Sequence, residues 1–326
     1  MILVTGGAGF IGSNLHAELN QRMADVVIVD ELGHFGKWRN LHKHPPSEII
    51  HPSDLTDYLA THPPIEVVVH LGAVSETTAT DGDLVWRTNV TLSQELWHWC
   101  ADRGVRFIYA SSASTYGDGS AGFDDTPTIE ALERLRPLNL YGWSKHAFDL
   151  WVAREVAAGR NRPPQWAGLK FFNVYGPNEY HKGPMVSVVK VKHDQIRAGD
   201  SITLFRSDQI GIADGEQARD FIWIDDVIAG LTFLLDHPAV NGLFNLGTGT
   251  ARSYADLARA VCAAHGVATE IVFVPMPDRL IGQYQSFTQA SVDRFRAAGF
   301  DATFTSLEDG VARYVTNFLN QPDPYR

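Results

Sequence analysis

Tyr141 and Lys145 stand four residues apart in the run Tyr141-Gly142-Trp143-Ser144-Lys145. On a helix that spacing puts both side chains on one face, with Cβ atoms about 5–6 Å apart. A free phenol has a pKa of about 10, so a tyrosine that exchanges protons near neutral pH needs its phenolate stabilised by about three units, or roughly 4 kcal/mol. A lysine ammonium beside a positively charged cofactor ring supplies such a field. The pair points to a proton moved on and off a substrate hydroxyl. Any helix can carry Tyr and Lys at this spacing. The signal sharpens with Tyr109-Ala110-Ser111-Ser112-Ala113-Ser114-Thr115-Tyr116-Gly117, which sets hydroxyls at the C-terminal end of a strand, where ligands of α/β folds bind. Ser112 is the candidate for the hydrogen bond that orients the reacting hydroxyl.

The cofactor is indicated near the N-terminus. Thr5-Gly6-Gly7-Ala8-Gly9-Phe10-Ile11-Gly12 follows a β-branched run and opens a helical pattern from Phe10 to about Gln21. It satisfies G-x-x-G-x-x-G (Gly6, Gly9, Gly12) and G-x-G-x-x-G (Gly7, Gly9, Gly12) together. Glycines let backbone N–H groups and a helix N-terminus face a pyrophosphate, and the last one lets the helix pack on the strand. The reading is a nicotinamide dinucleotide, with Lys145 also holding its ribose hydroxyls. Asp30 ends the second β-branched run, where a carboxylate accepts hydrogen bonds from the adenosine ribose. Asp30 alone favours NAD, because a 2′-phosphate would meet like charge. Lys37 and Arg39 follow closely and can neutralise that phosphate, so NADP stays open. Leu71-Gly72-Ala73-Val74-Ser75, at another strand end, is a small-residue crossing point where the dinucleotide is expected to lie against backbone, and Asn89, on the following helix and facing the sheet, is a further expected cofactor contact.

The elements that must position these residues are legible as a rhythm. Ile2 to Thr5, Val26 to Asp30, Val67 to Leu71, Phe107 to Ser111 and Leu169 to Val174 read as strands buried on both faces, separated by stretches long enough for crossover helices. This is an α/β chain with a Rossmann-type, doubly wound parallel sheet. After about residue 174 the rhythm breaks into Gly/Pro-containing loops. Ile224 to Leu235 then reads as a helix and Gly242 to Leu246 as a strand that returns to the first sheet. The expected layout is a dinucleotide-binding domain over 1–173 and about 220–247. A smaller, discontinuous α/β C-terminal substrate domain takes about 174–219 and 248–326.

The 326 residues are 44% hydrophobic, enough for full cores, and carry a formal charge of −11. The acidic balance argues against nucleic acid or an anionic membrane as partner. Two cysteines exclude a disulfide framework and a cysteine-rich metal site, and no metal is expected. With no leader pattern and no apolar run of membrane-spanning length, the expected location is the cytoplasm.

Together, the glycine loop, Ser112 and Tyr141-x-x-x-Lys145 resemble the extended short-chain dehydrogenase/reductase superfamily, which acts largely on nucleotide sugars. A narrower resemblance, to the ADP-L-glycero-D-manno-heptose 6-epimerase family, rests on five segments. Phe171-Phe172-Asn173-Val174-Tyr175-Gly176-Pro177, Arg219-Asp220-Phe221 and Phe244-Asn245-Leu246-Gly247-Thr248-Gly249 are widespread among sugar-nucleotide epimerases. His181-Lys182-Gly183-x-Met185 and Gln283-Tyr284-Gln285-x-Phe287-Thr288-Gln289 are more particular.

The resemblance implies epimerisation at C6 of an ADP-activated heptose, as in the supply of lipopolysaccharide core precursor. Oxidation to a ketone is followed by hydride return to its other face from a tightly bound cofactor, NADP in the family. It implies that Tyr141 serves one epimer and Lys182 the other. It adds Phe10, Ile11, Glu31, Val174 and Lys182 to the cofactor contacts. For substrate it gives Ser112, Asn173, Phe205, Arg206, Ser207, Asp208, Arg219 and Tyr284, with the Arg219 guanidinium matched to a nucleotide diphosphate. Self-association as a homo-oligomer, commonly a pentamer, is also implied.

The sequence departs from the family at Pro184, where a serine is expected, and at Val191, where a substrate-contacting histidine is usual although His193 is nearby. Near Pro52 a cofactor-phosphate lysine is expected, and Ser207 to Gln217 is long. A UDP-hexose 4-epimerase shares the general machinery and is the alternative. A non-catalytic dinucleotide sensor is more remote, because such proteins typically lose the Tyr/Lys pair.

Overall fold

In the computed structural model, residues 1–34, 36–268, 270–277 and 285–326 are described. Strands β1 (Ile2–Thr5), β2 (Val26–Val29), β3 (Glu48–Ile50), β4 (Val67–His70), β5 (Arg106–Ser112) and β6 (Trp166–Phe171) are followed by β7 (Asn173–Tyr175), β8 (Ile202–Phe205) and β9 (Ala218–Trp223). The last three are β10 (Gly242–Leu246), β11 (Ala251–Ser253) and β12 (Ile271–Val274). A seven-stranded parallel sheet runs β10-β6-β5-β4-β1-β2-β3. The chain moves outward from β1 in one direction, then crosses back to β4 and moves outward in the other. The gap between β1 and β4 is therefore the point where helices leave on both faces, and ligands bind at its C-terminal edge.

Side chains alternate between two cores, as the twofold period of a strand requires. Val67, Val69 and Ile108 face one layer with Leu15, Leu19, Leu231 and Phe244. Val68 and Phe107 face the other with Trp97, Phe148, Val152 and Trp166. Because both faces are covered, the strands read as unbroken apolar runs rather than alternating ones. Gly242–Leu246 does return to this sheet, paired with β6.

One expectation divides. The stretch Leu169 to Val174 is not one strand: β6 ends at Phe171, and β7 belongs to a three-stranded sheet, β11-β9-β7. Phe172 is the hinge. Its N–H still donates to Leu246 O at 3.1 Å, while the Val174 N–H turns back to Phe172 O at 2.9 Å. This leaves Asn173 exposed at the sheet's edge. The pair β8–β12 forms a third sheet with its own small apolar cluster of Ile202, Leu204, Ala255 and Ala258. No helix among the described residues is long and apolar enough to cross a membrane.

Candidate active site

A cavity of about 570 Å³ opens at the C-terminal edge of β1, β4, β5 and β6. Its floor is the glycine loop. Gly6 has φ +68°, and a Cβ there would lie 2.7 Å from the Gly72 nitrogen. A Cβ on Gly12 would lie 2.2 Å from Gly6 O. The loop is thus pressed against β4's end and against its own helix, as a backbone cradle for phosphate requires. The helix Phe10–Gln21 starts at Gly9 with no side-chain cap and no acid in its first turn. Its first N–H groups and positive dipole end remain available to an anion.

At the far end of that cradle, Asp30 is 9% exposed. Its Oδ2 accepts the Ala8 N–H at 2.8 Å, and its Oδ1 accepts the Glu31 N–H at 2.7 Å and Lys37 Nζ at 2.6 Å. Lys37 thereby neutralises the carboxylate in place. Asn40 donates to Ala8 O at 2.9 Å and lies 3.1 Å from His181 Nδ1. No motif pointed to this Asn40–His181 link between the glycine loop and the Lys182 turn.

The proton-transfer groups come from one helix, a strand end and a turn. Asn139 caps the helix Leu140–Ala157 by accepting the Gly142 N–H at 2.8 Å. Gly142 lies so close to the backbone of Ser114 that a Cβ would sit 2.6 Å from its carbonyl oxygen. This close approach brings Tyr141 to Ser112 at the end of β5. Both line the cavity with Lys145. Burial pushes the Tyr141 phenol above its usual value while the Ser112 hydroxyl, hydrogen-bonded to it, pulls the other way. Burial pushes Lys145 down to about 8, opposed by the Asp149 carboxylate one turn further on. At neutral pH the phenol is therefore protonated and the Lys145 ammonium beside it in the cavity is still charged.

Lys182 projects from the turn Tyr180–Met185 into the same cavity, its Nζ 5.2 Å from the centroid of the Phe10 ring. Burial lowers its proton affinity, and Glu179 opposes that shift. His181, Met185, Phe171, Phe172, Tyr254 and Leu257 complete much of the wall; none was singled out as a contact from sequence.

Of the sequence-predicted residues, Gly6, Gly9, Phe10, Ile11, Gly12, Asp30, Lys37, Leu71, Gly72, Ala73, Ser75, Ser112, Tyr141, Lys145, Asn173, Val174 and Lys182 line this one cavity. Asn89 and Val74 are placed behind the wall. Asn89 is fully buried, and its amide accepts the Val74 N–H at 2.8 Å and donates to Val74 O and Ser144 Oγ, both at 2.9 Å. With its polar atoms so occupied, it ties the β4 loop to the Tyr141 helix.

Glu31 is exposed, with its backbone on Asp30. Arg219 meets the wall through Tyr254, its guanidinium 5.6 Å from that ring. Phe205, Arg206, Ser207 and Asp208 lie at and beyond the end of β8, outside the wall, where Ser207 is held by Asp214. Tyr284 and Gln283 fall outside the described residues. His193, near the departure at Val191, is turned away onto His265 at 3.0 Å.

Residues 2–247 match the model of the NAD dependent epimerase/dehydratase family. The chain belongs to that family. A nicotinamide dinucleotide of the kind this family uses fits the uncapped helix and the glycine cradle described above. Among individual relatives, an ADP-L-glycero-D-manno-heptose-6-epimerase of Nitratidesulfovibrio vulgaris is 46% identical over the full length of both chains. The solved ADP-L-glycero-D-manno-heptose-6-epimerase of Helicobacter pylori superposes with a TM-score of 0.77 at 29% identity, covering 97% of this chain and 95% of that one. A UDP-glucuronic acid 4-epimerase from Bacillus cereus, solved with UDP-glucuronic acid and NAD, gives a TM-score of 0.77 at 25% identity, over 97% and 99%.

Proposed function

We propose that this protein epimerises C6 of the heptose in ADP-D-glycero-D-manno-heptose, giving the L-glycero epimer. The observation that carries the reading is a second acid–base group, Lys182, in the wall of the cavity that holds Ser112, Tyr141 and Lys145. The full-length likeness to enzymes named for that reaction supports it. Because the two epimers present their C6 hydroxyls in different places, one proton carrier serves each: Tyr141, oriented by Ser112, for one and Lys182 for the other. The intermediate ketone turns between them. A nicotinamide dinucleotide bound in the cradle supplies the hydride acceptor and donor. Lys145 holds the ribose and keeps a positive charge beside the phenol.

The cofactor is one tightly bound NADP per subunit, as the family resemblance implies, with NAD as the alternative. The Lys37–Asp30 ion pair removes the like charge that a 2′-phosphate would otherwise meet. Asn173 and Ser112 contact the sugar. Phe205 to Asp208 and Tyr284 contact the substrate and Arg219 its diphosphate, within a substrate domain of about 174–219 and 248–326. The working form is a cytoplasmic homo-oligomer.

Proton NMR of the purified protein with ADP-D-glycero-D-manno-heptose and no added cofactor tests this. Appearance of the C6 epimer is the expected result. Absence of conversion even with NAD and NADP added, alongside turnover of a UDP-hexose, transfers the assignment to a 4-epimerase on the same machinery.

A further inference from the structure

Glu179 is fully buried at the start of the turn that carries Lys182. An ionised carboxylate only accepts hydrogen bonds, and this one accepts three from two other elements. Its Oε2 takes the Ser187 N–H at 2.5 Å, and its Oε1 takes the Ser187 hydroxyl at 2.6 Å and the Tyr314 hydroxyl at 2.9 Å. Ser187 caps the helix Val188–Ala198, and Tyr314 ends the helix Leu307–Tyr314. The backbone closes the turn as well, since the Lys182 N–H donates to Glu179 O at 3.1 Å. A carboxylate this deep is costly unless a positive charge compensates it. Burial pushes the Glu179 carboxyl above its usual range, and the Lys182 charge with the hydrogen bonds from Ser187 and Tyr314 pulls it back down; Glu179 in turn opposes the fall that burial imposes on Lys182. The other titratable groups around them are the Tyr180 phenol beside Glu179 and His181, which feels Lys182.

We propose that Glu179 is a positioning residue for the second acid–base group: clamped by Ser187 and Tyr314, it fixes the turn that presents Lys182 and supplies the buried negative charge that keeps Lys182 protonated between half-reactions. The proposal rests on the reading of Lys182 as a proton carrier. It predicts that the C-terminal helix, through Tyr314, governs a lysine in the cavity wall. A bare lysine at this depth would lose its proton too readily to serve as the acid, whereas a directly paired one would hold it too tightly to serve as the base.

The test reads the lysine itself. Trace acetylation of the whole protein over pH 6–11, quantified by mass spectrometry on the Lys182 peptide, gives its titration midpoint without any substrate. Failure of the heptose assignment would remove the proton-carrier role but not a measured Glu179–Lys182 coupling, so the two failures are distinguishable. In Glu179→Gln, the midpoint is expected to fall by about one unit, because an opposite charge has been removed, with tenfold more labelling at neutral pH. Glu179→Asp restores most of the shift, a rescue that a merely structural role would not produce. Where Glu179→Gln fails to fold, Tyr314→Phe decides, with a smaller fall expected in the same direction. An unchanged Lys182 midpoint in the folded variant overturns the proposal.

Discussion

The cofactor cradle and the Lys182 wall meet in one cavity but are built on different principles. The cradle is local: a strand, three glycines and a helix N-terminus within the first dozen residues, completed by Asp30 and Lys37. The Lys182 wall is assembled from afar. Its turn is held by Ser187, by Tyr314 from the C-terminal helix and by His181 reaching Asn40. Backbone geometry makes the first site, so side-chain changes there matter less than an added Cβ. Buried polar contacts make the second, so single side-chain changes alter its proton affinity.

That contrast can be tested from its strongest point downward. Tyr141→Phe removes the phenol proton while keeping the ring, and kcat is expected to fall by about 10³-fold, read by NMR conversion, with cofactor still bound. Gly12→Ala sets a Cβ 2.2 Å from Gly6 O, a backbone atom that cannot retreat. A loss of about 3 kcal/mol of stability by denaturant titration is expected, together with loss of copurifying cofactor. A stable, cofactor-loaded Gly12→Ala protein breaks the idea that backbone closeness makes this site.

The pH profile comes next. Lys145, lowered to about 8 by burial, is charged below that pH and neutral above it, so the field on Tyr141 is intact at pH 7 and lost above 8. A fall of about tenfold in kcat between pH 7 and 9 is expected for a single titrating group. A rate that stays flat to pH 10 contradicts it. Lys37→Ala leaves the Asp30 carboxylate without its ammonium partner, where it would repel a cofactor 2′-phosphate held at this end of the cradle. NADP affinity measured by fluorescence titration should drop about tenfold, with NAD changing less. Arg206→Ala removes a proposed substrate contact from an exposed loop and should raise KM about threefold. An unchanged KM would take this loop out of the substrate contacts.

The cradle was legible because each of its parts is a neighbour in sequence. The glycine spacing, the helix start at Phe10 and the acid at Asp30 all stand where the sequence places them. Tyr141, Lys145 and Ser112 were legible one step further out, through helical spacing and the strand-end rule. Lys182 was legible only through resemblance, since a lysine in a six-residue turn carries no pattern of its own. Asn89 was expected as a cofactor contact facing the sheet, whereas its hydrogen bonds to Val74 and Ser144, which only the folded chain brings together, make it a brace behind the wall.

What the sequence by itself determined is the buried strands of the sheet, their two covered faces and the phosphate cradle, because apolar runs and glycine conformations act within a few residues of where they are written; the half-exposed edge strand Glu48–Ile50 carried no such signal. The tertiary structure decided where β6 ends and β7 leaves at Phe172, which residue compensates Lys182, and whether Asp30 is met by Lys37. Each of these depends on a hydrogen bond or ion pair closed by the packing of whole elements, and the strength of such contacts is set by burial that only the folded chain creates.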